Sequence, residues 1–106
     1  MGDLRQSSFV YTIHGKPWIV EWDPDKRARN LQKHGVDFPA VPVIFEHRTV
    51  ERLDHRHDYG EDRWVVIGQK GTTLITAVIV FQERSFRIIS ARRATRHEEK
   101  EYASCR

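Results

Sequence analysis

Apolar residues fall along the chain in two rhythms, one of period two and one near 3.6. Phe9–Ile13 sets Phe, Tyr and Ile on one side and Val and Thr on the other, the alternation of a strand. His14-Gly15-Lys16-Pro17 is turn chemistry and Trp18–Trp22 reads as a second strand, so the two predict a hairpin. Asp23-Pro24 then opens a helix, because an Asp at the N-cap accepts free backbone N–H groups and a Pro at the first position gives up no bond. That helix is expected from Pro24 to about His34, where Gly35 suits the left-handed position and Lys33 and His34 face the negative dipole end. A shorter second helix is expected over Pro39–Phe45, with its first turn distorted or 3₁₀-like because Pro42 cannot donate a helix bond.

A polar stretch, Glu46–Asp62, follows and carries a short edge strand at Thr49–Leu53. Arg63–Gly68 is a strand ended by the turn Gln69-Lys70-Gly71-Thr72. Thr73–Phe81 is almost wholly apolar and β-branched, as a central strand covered on both faces would be. Glu83-Arg84-Ser85 closes a hairpin onto Phe86–Ala91, and Ala94–Ala103 is helical, opened by the capping box Thr95-x-x-Glu98. No helical pattern interrupts Arg63–Ala91. The order predicts an α+β fold: an antiparallel β-sheet with the two N-terminal helices on one face and a C-terminal helix.

Composition narrows the function classes without naming one. The chain has 106 residues, 18 Lys+Arg against 15 Asp+Glu, and a net charge of +3, enough for one modest core and a mildly basic surface that suits an anionic partner. The longest apolar stretch, Leu74–Phe81, is far short of the roughly 20 residues of a membrane helix. The start MGDLRQSS lacks an apolar leader segment, so a cytoplasmic location is expected. The one cysteine, Cys105, excludes an internal disulfide framework and a multi-Cys zinc site.

Four groups of residues could carry chemistry. On the first helix Lys26, Asn30 and Lys33 or His34 share a face, with Ala28 and Leu31 as a thin apolar face; this is either a solvated amphipathic helix or a cationic contact surface. Arg63, Arg84, Arg87, Arg92 and Arg93 mark the strands and their ends. Simple alternation puts Phe86, Ile88, Ser90 and Arg92 on one face and Arg87, Ile89 and Ala91 on the other. Arg87 among apolar neighbours must snorkel, pair with a carboxylate or serve a site, while Ser90 and Arg92 could grip one phosphate; edge arginines that resist aggregation are the bland alternative. Asp54-His55-Arg56-His57-Asp58 contains a His-x-His pair, but no further spaced ligand set follows, so it reads as a solvated loop and neither metal nor cofactor is expected. The last helix is polar nearly all round, with Tyr102 one turn after Glu98, and such a helix pairs its charges in solvent or docks a partner.

Taken together, Glu21-Trp22-Asp23-Pro24-x-Lys26, Asn30-x-x-Lys33-His34-Gly35-Val36-x-Phe38, Phe45, Glu61-x-Arg63-Trp64 with Gly68, Arg87-Ile88-Ile89-Ser90-Ala91-Arg92-x-Ala94 and Glu98…Tyr102 resemble the BrnT toxins over about residues 19–102. The resemblance implies a RelE-like fold, one domain with residues 18–104 as its body and 1–17 as an extension carrying an extra strand. It implies a metal-independent RNA endonuclease that halts translation, silenced by a BrnA-like ribbon-helix-helix antitoxin, with operator DNA bound only through the complex and no membrane involved. On that footing His34 or Glu98 is a candidate base. Lys33, Arg63, Arg87 and Arg92 are candidate cations, Lys26, Asn30, Arg84 and Ser90 candidate RNA contacts, and Tyr102 a stacking or proton-donating group. The sequence departs from the family at residues 1–17 and at Pro42, which falls inside the usual second helix. The rival readings are a non-catalytic nucleic-acid-binding module that stacks bases on Trp18, Trp22 or Trp64, and an interaction module that docks a partner through its last helix.

Overall fold

The period-two segments become strands β1 (Ser8–Ile13), β2 (Lys16–Trp22), β3 (Thr49–Leu53), β4 (Trp64–Lys70), β5 (Thr73–Gln82) and β6 (Ser85–Arg93). In the computed structural model, which describes residues 6–55 and 60–105, they form one six-stranded sheet in the order β1-β2-β6-β5-β4-β3. β5 is central, antiparallel to β4 and β6 on its two sides, as its apolar sequence predicts. The sheet is not antiparallel throughout. β2 and β6 run parallel, with Ile19 opposite Ser85 and Trp22 opposite Ile88. The chain leaves β2 through helix α1 (Pro24–His34), meanders through β3, β4 and β5, and returns with β6 pointing the same way as β2. The fold is therefore α+β with a mixed sheet, because the first hairpin is part of the sheet and not an appendage to it.

The β1–β2 hairpin closes on His14 (φ 50°) and Gly15 (φ 79°), two left-handed residues in the turn geometry that matches strand twist. α1 starts and stops as expected: the Asp23 carboxylate accepts from the Asp25 N–H at 2.8 Å, and Gly35 ends the helix at φ 72°. The second helix differs. Phe38–Glu46 is 3₁₀ throughout, because Pro39 and Pro42, three residues apart, remove backbone donors that an α-helix would need. Its buried Phe38, Val41 and Ile44 join Trp22, Ile79 and Phe86 in the core beneath one face of the sheet. Gly68 makes that approach possible: a Cβ there would lie 2.6 Å from the Ile44 Cβ.

Helix α2 (Arg96–Ser104) covers the opposite face, where Glu98 accepts from the Thr76 hydroxyl at 3.0 Å. Thr76 alternates with the core residues Ile75 and Ala77, so the sheet is a middle layer between α1 with the 3₁₀ segment and α2. The far end of α2 is held by Arg48, whose guanidinium donates to the Tyr102 carbonyl at 2.7 Å and lies 4.0 Å from the centre of the Tyr102 ring. Tyr102 returns its hydroxyl to the Arg48 carbonyl at 3.0 Å.

One irregularity in β6 rearranges its side chains. The register passes from Ile79 opposite Ile88 to Val78 opposite Ser90, leaving Ile89 as an extra, bulged residue. Phe86, Ile88 and Ala91 accordingly share the core face. Arg87, Ser90 and Arg92 share the other, opposite Val80, Val78 and Thr76. Simple alternation separates Arg87 from Arg92; the bulge puts them on one face.

Candidate active site

β2 ends at Trp22; beyond it α1 packs beside β6, and Glu61 from the end of the β3–β4 connection pairs with Arg87. Between them opens a cleft of about 540 Å³ whose lining includes Glu21, Lys26, Arg63, Arg87 and Ile89. Lys26 comes from the first turn of α1, Arg87 from the non-core face of β6, and Arg63 from the residue before β4. Glu61 joins the arginines from the β3–β4 connection: Arg87 Nη2 donates to both of its oxygens at 2.7 Å, and Arg63 Nε donates to Oε2 at 3.3 Å. The Arg87 hydrogen bond, with help from Arg63, holds the Glu61 carboxyl below its ordinary pKa, so it is an anion at neutral pH. Lys26, Arg63 and Arg87 together can grip a phosphodiester, the two guanidinium groups as forks and the ammonium as a point charge.

The other arginine on this face of β6 has a different neighbourhood. Arg92 lines a smaller cleft of about 200 Å³ with Arg52, Ser90 and Glu98. It makes a two-pronged pair with Glu98 at 2.7 and 3.0 Å, while Glu98 also accepts from Thr76 and from the Thr95 N–H at 2.8 Å. Burial alone would raise the Glu98 pKa, but these donors outweigh it and bring the value down to about 2. Glu98 is 5% exposed and already saturated with partners. Its geometry is that of an anchor holding α2 to the sheet.

The remaining expected site residues are dispersed. Lys33 is exposed and His34 half-buried at the end of α1, and neither lines either cleft. Asn30 is buried: its amide donates to the Ala91 carbonyl at 2.8 Å and the Val36 carbonyl at 3.0 Å, and accepts from the Ala91 N–H at 3.1 Å. It takes the place of a strand partner along the part of β6 that β2 does not reach. Arg84 sits at the β5–β6 turn with φ 61° and borders a shallow groove beside Val10 and Ile19. Tyr102 is buried beneath Arg48. His55 is exposed, Arg56, His57 and Asp58 lie outside the described residues, and no group of three metal-ligating side chains occurs among the described residues.

The inward face of α1 also differs from expectation. Ala28 is exposed, whereas Arg27 points inward, 2% exposed, and pairs with Asp37 at 2.7 and 2.9 Å while lying over the Trp22 ring. Nothing in the local pattern distinguishes Arg27 from its solvated neighbours. Glu61, which bonds two arginines of the cleft, appears in the sequence only as part of the motif Glu61-x-Arg63-Trp64, with no role assigned there.

Residues 22–98 match the family described as ribonuclease toxin, BrnT, of type II toxin-antitoxin system. The chain belongs to this BrnT family. The matched segment contains α1, Glu61, Arg63 and Arg87, hence the charged groups of the larger cleft other than Glu21. No curated protein matches the chain. Among the described residues no helix is long and apolar enough to cross a membrane. Membership makes the chain a ribonuclease toxin of the type II class, whose biology supplies an RNA substrate and an antitoxin partner.

Proposed function

We propose that the larger cleft is the catalytic centre of a metal-independent endoribonuclease. The observation that carries this reading is the convergence of Lys26, Arg63 and Arg87 on one cleft at the end of β2. Cleavage of RNA without a metal needs a cationic seat for the phosphate, a base for the neighbouring 2′-hydroxyl and a proton for the departing 5′-oxygen. A preorganised donor aimed at charge that develops in a transition state is worth roughly 3–4 kcal/mol where an oxyanion-hole hydrogen bond has been removed from another enzyme, and cations facing the phosphoryl oxygens act in the same way. Arg92, with its own carboxylate, holds α2 in place, and Lys33 and His34 form an outlying basic rim for the RNA strand. The products would deplete translatable RNA in the cytoplasm.

The partner proposed is a BrnA-like ribbon-helix-helix antitoxin that covers Arg87 and the cleft, in a complex that alone binds operator DNA. A RelE-like ancestry of the fold belongs to the same proposal. Binding without catalysis is less well supported, because stacking needs exposed rings: Trp22 is in the core with its indole N–H bonded to the Gln6 carbonyl, and Trp18 and Trp64 pack against the core. The test is induction of the chain without a partner, alongside Arg87→Ala and Arg63→Ala. Growth arrest and cleavage of RNA by the purified chain in EDTA are expected, with both lost in the variants. Cleavage that needs added zinc or manganese refutes metal independence, and full toxicity of both variants moves the site elsewhere.

A further inference from the structure

Glu98 and Glu61, two carboxylates paired to arginines of β6 on this face, are not equivalent. Glu98 has a side chain 6% exposed, and its oxygens are taken by Arg92, Thr76 and the Thr95 N–H. Glu61 is 31% exposed at its side chain and lies on a connection, not in a packed element. It caps no helix start, and its bonds are to Arg87 and Arg63. A carboxylate bound by two guanidinium groups marks the place where a phosphate would meet the same donors. An ionised carboxylate has about four lone-pair positions, so it can keep one oxygen on an arginine and offer another to a hydroxyl.

We propose that Glu61 is the general base of RNA cleavage in the Arg87 cleft, an assignment that rests on reading that cleft as the ribonuclease site. A Glu61 oxygen takes the proton of a ribose 2′-hydroxyl, and the 2′-oxygen forms a bond to the adjacent phosphorus. The bond from phosphorus to the 5′-oxygen breaks, and that oxygen takes a proton from water. The products are a 2′,3′-cyclic phosphate and a 5′-hydroxyl, and Glu61 returns its proton to solvent. Arg87 and Arg63 serve twice, orienting the carboxylate before substrate arrives and facing the phosphoryl oxygens afterwards. When the phosphate draws on their charge, the carboxylate loses part of the stabilisation that keeps its pKa low. Its basicity then rises at the moment it is used.

The experiment is single-turnover cleavage of an RNA oligonucleotide by the purified chain and by Glu61→Gln, Glu61→Asp and Arg87→Ala. Binding is measured separately with an oligonucleotide carrying a 2′-deoxyribose at the cleaved position. Glu61→Gln is expected to slow cleavage about 10²–10⁴-fold. Its affinity for the deoxy analogue should stay within about threefold of wild type or tighten. The acid limb of the pH–rate profile should disappear, and Glu61→Asp should restore part of the rate. Wild-type products should end in a cyclic phosphate. Glu61→Gln that cleaves as fast as wild type, or faster, overturns the assignment and leaves the carboxylate as a shield over the arginines. If Arg87→Ala is then inactive, the cleft remains the site and only the base is wrong. If Arg87→Ala cleaves normally, the site reading itself fails and the base assignment falls with it.

Discussion

Replacing Asn30 with alanine tests whether this amide holds the sheet or touches RNA. Its three hydrogen bonds run to the Ala91 carbonyl, the Val36 carbonyl and the Ala91 N–H. Each is worth roughly 0.5–1.5 kcal/mol net, and a buried backbone group left without its partner costs about 1–3 kcal/mol. Ala91 is fully buried, so water cannot reach it to replace the lost bonds. The expected loss is about 3–5 kcal/mol, a large share of the stability of a domain this size. At about 4–8 °C per kcal/mol, the melting temperature should fall by more than about 12 °C. Asn30→Asp should fare no better, since it sets a carboxylate oxygen against two carbonyl oxygens. The assay is thermal unfolding followed by circular dichroism, with Lys33→Ala, at an exposed position, expected within about 0.5 kcal/mol of wild type. An Asn30→Ala protein that melts within about 0.5 kcal/mol of wild type yet has lost toxicity would refute the structural role.

Acid should weaken the fold through Glu98. Its pKa is lowered from 4.5 to about 2 in the folded state, so its contribution is full above about pH 4.5 and is lost as pH falls toward 2. The shift corresponds to at most roughly 3 kcal/mol. Unfolding free energy measured across that window should drop more steeply for the wild type than for Glu98→Gln, which keeps only the acid dependence of other paired carboxylates such as Glu61; identical profiles would contradict the pairing. Gly68→Ala should cost about 1–3 kcal/mol, because its new Cβ would meet the Ile44 Cβ at 2.6 Å. Adding Ile44→Ala should not rescue it, since alanine keeps the Cβ that clashes, and recovery of the melting temperature in the double variant would show that the contact had been misjudged.

The elements that depend on neighbours a few residues away are legible in the amino-acid sequence itself. α1 announces itself through Asp23, Pro24 and Gly35, α2 through its capping box, and the central place of β5 through its almost wholly apolar, β-branched run. The candidate cations Lys26, Arg63 and Arg87 are legible as residue types, and the order of the motifs points to the family. What brings those cations into one cleft is not local. The parallel join of β2 to β6 depends on where a long crossover lands, and the face of Arg87, Ser90 and Arg92 depends on a single bulged residue, Ile89. A local period of two cannot reveal a bulge, because the extra residue is set by hydrogen bonding to β5. Asn30 and Arg27 read as solvated helix positions, yet the unfinished edge of β6 and the carboxylate of Asp37 draw them inward. Glu61 meets Arg87 across 26 residues of chain. Local propensity acts over one turn of helix or one strand pair, whereas a buried polar group takes whichever partner the packed chain brings within about 3 Å, and that is decided only when the layers close.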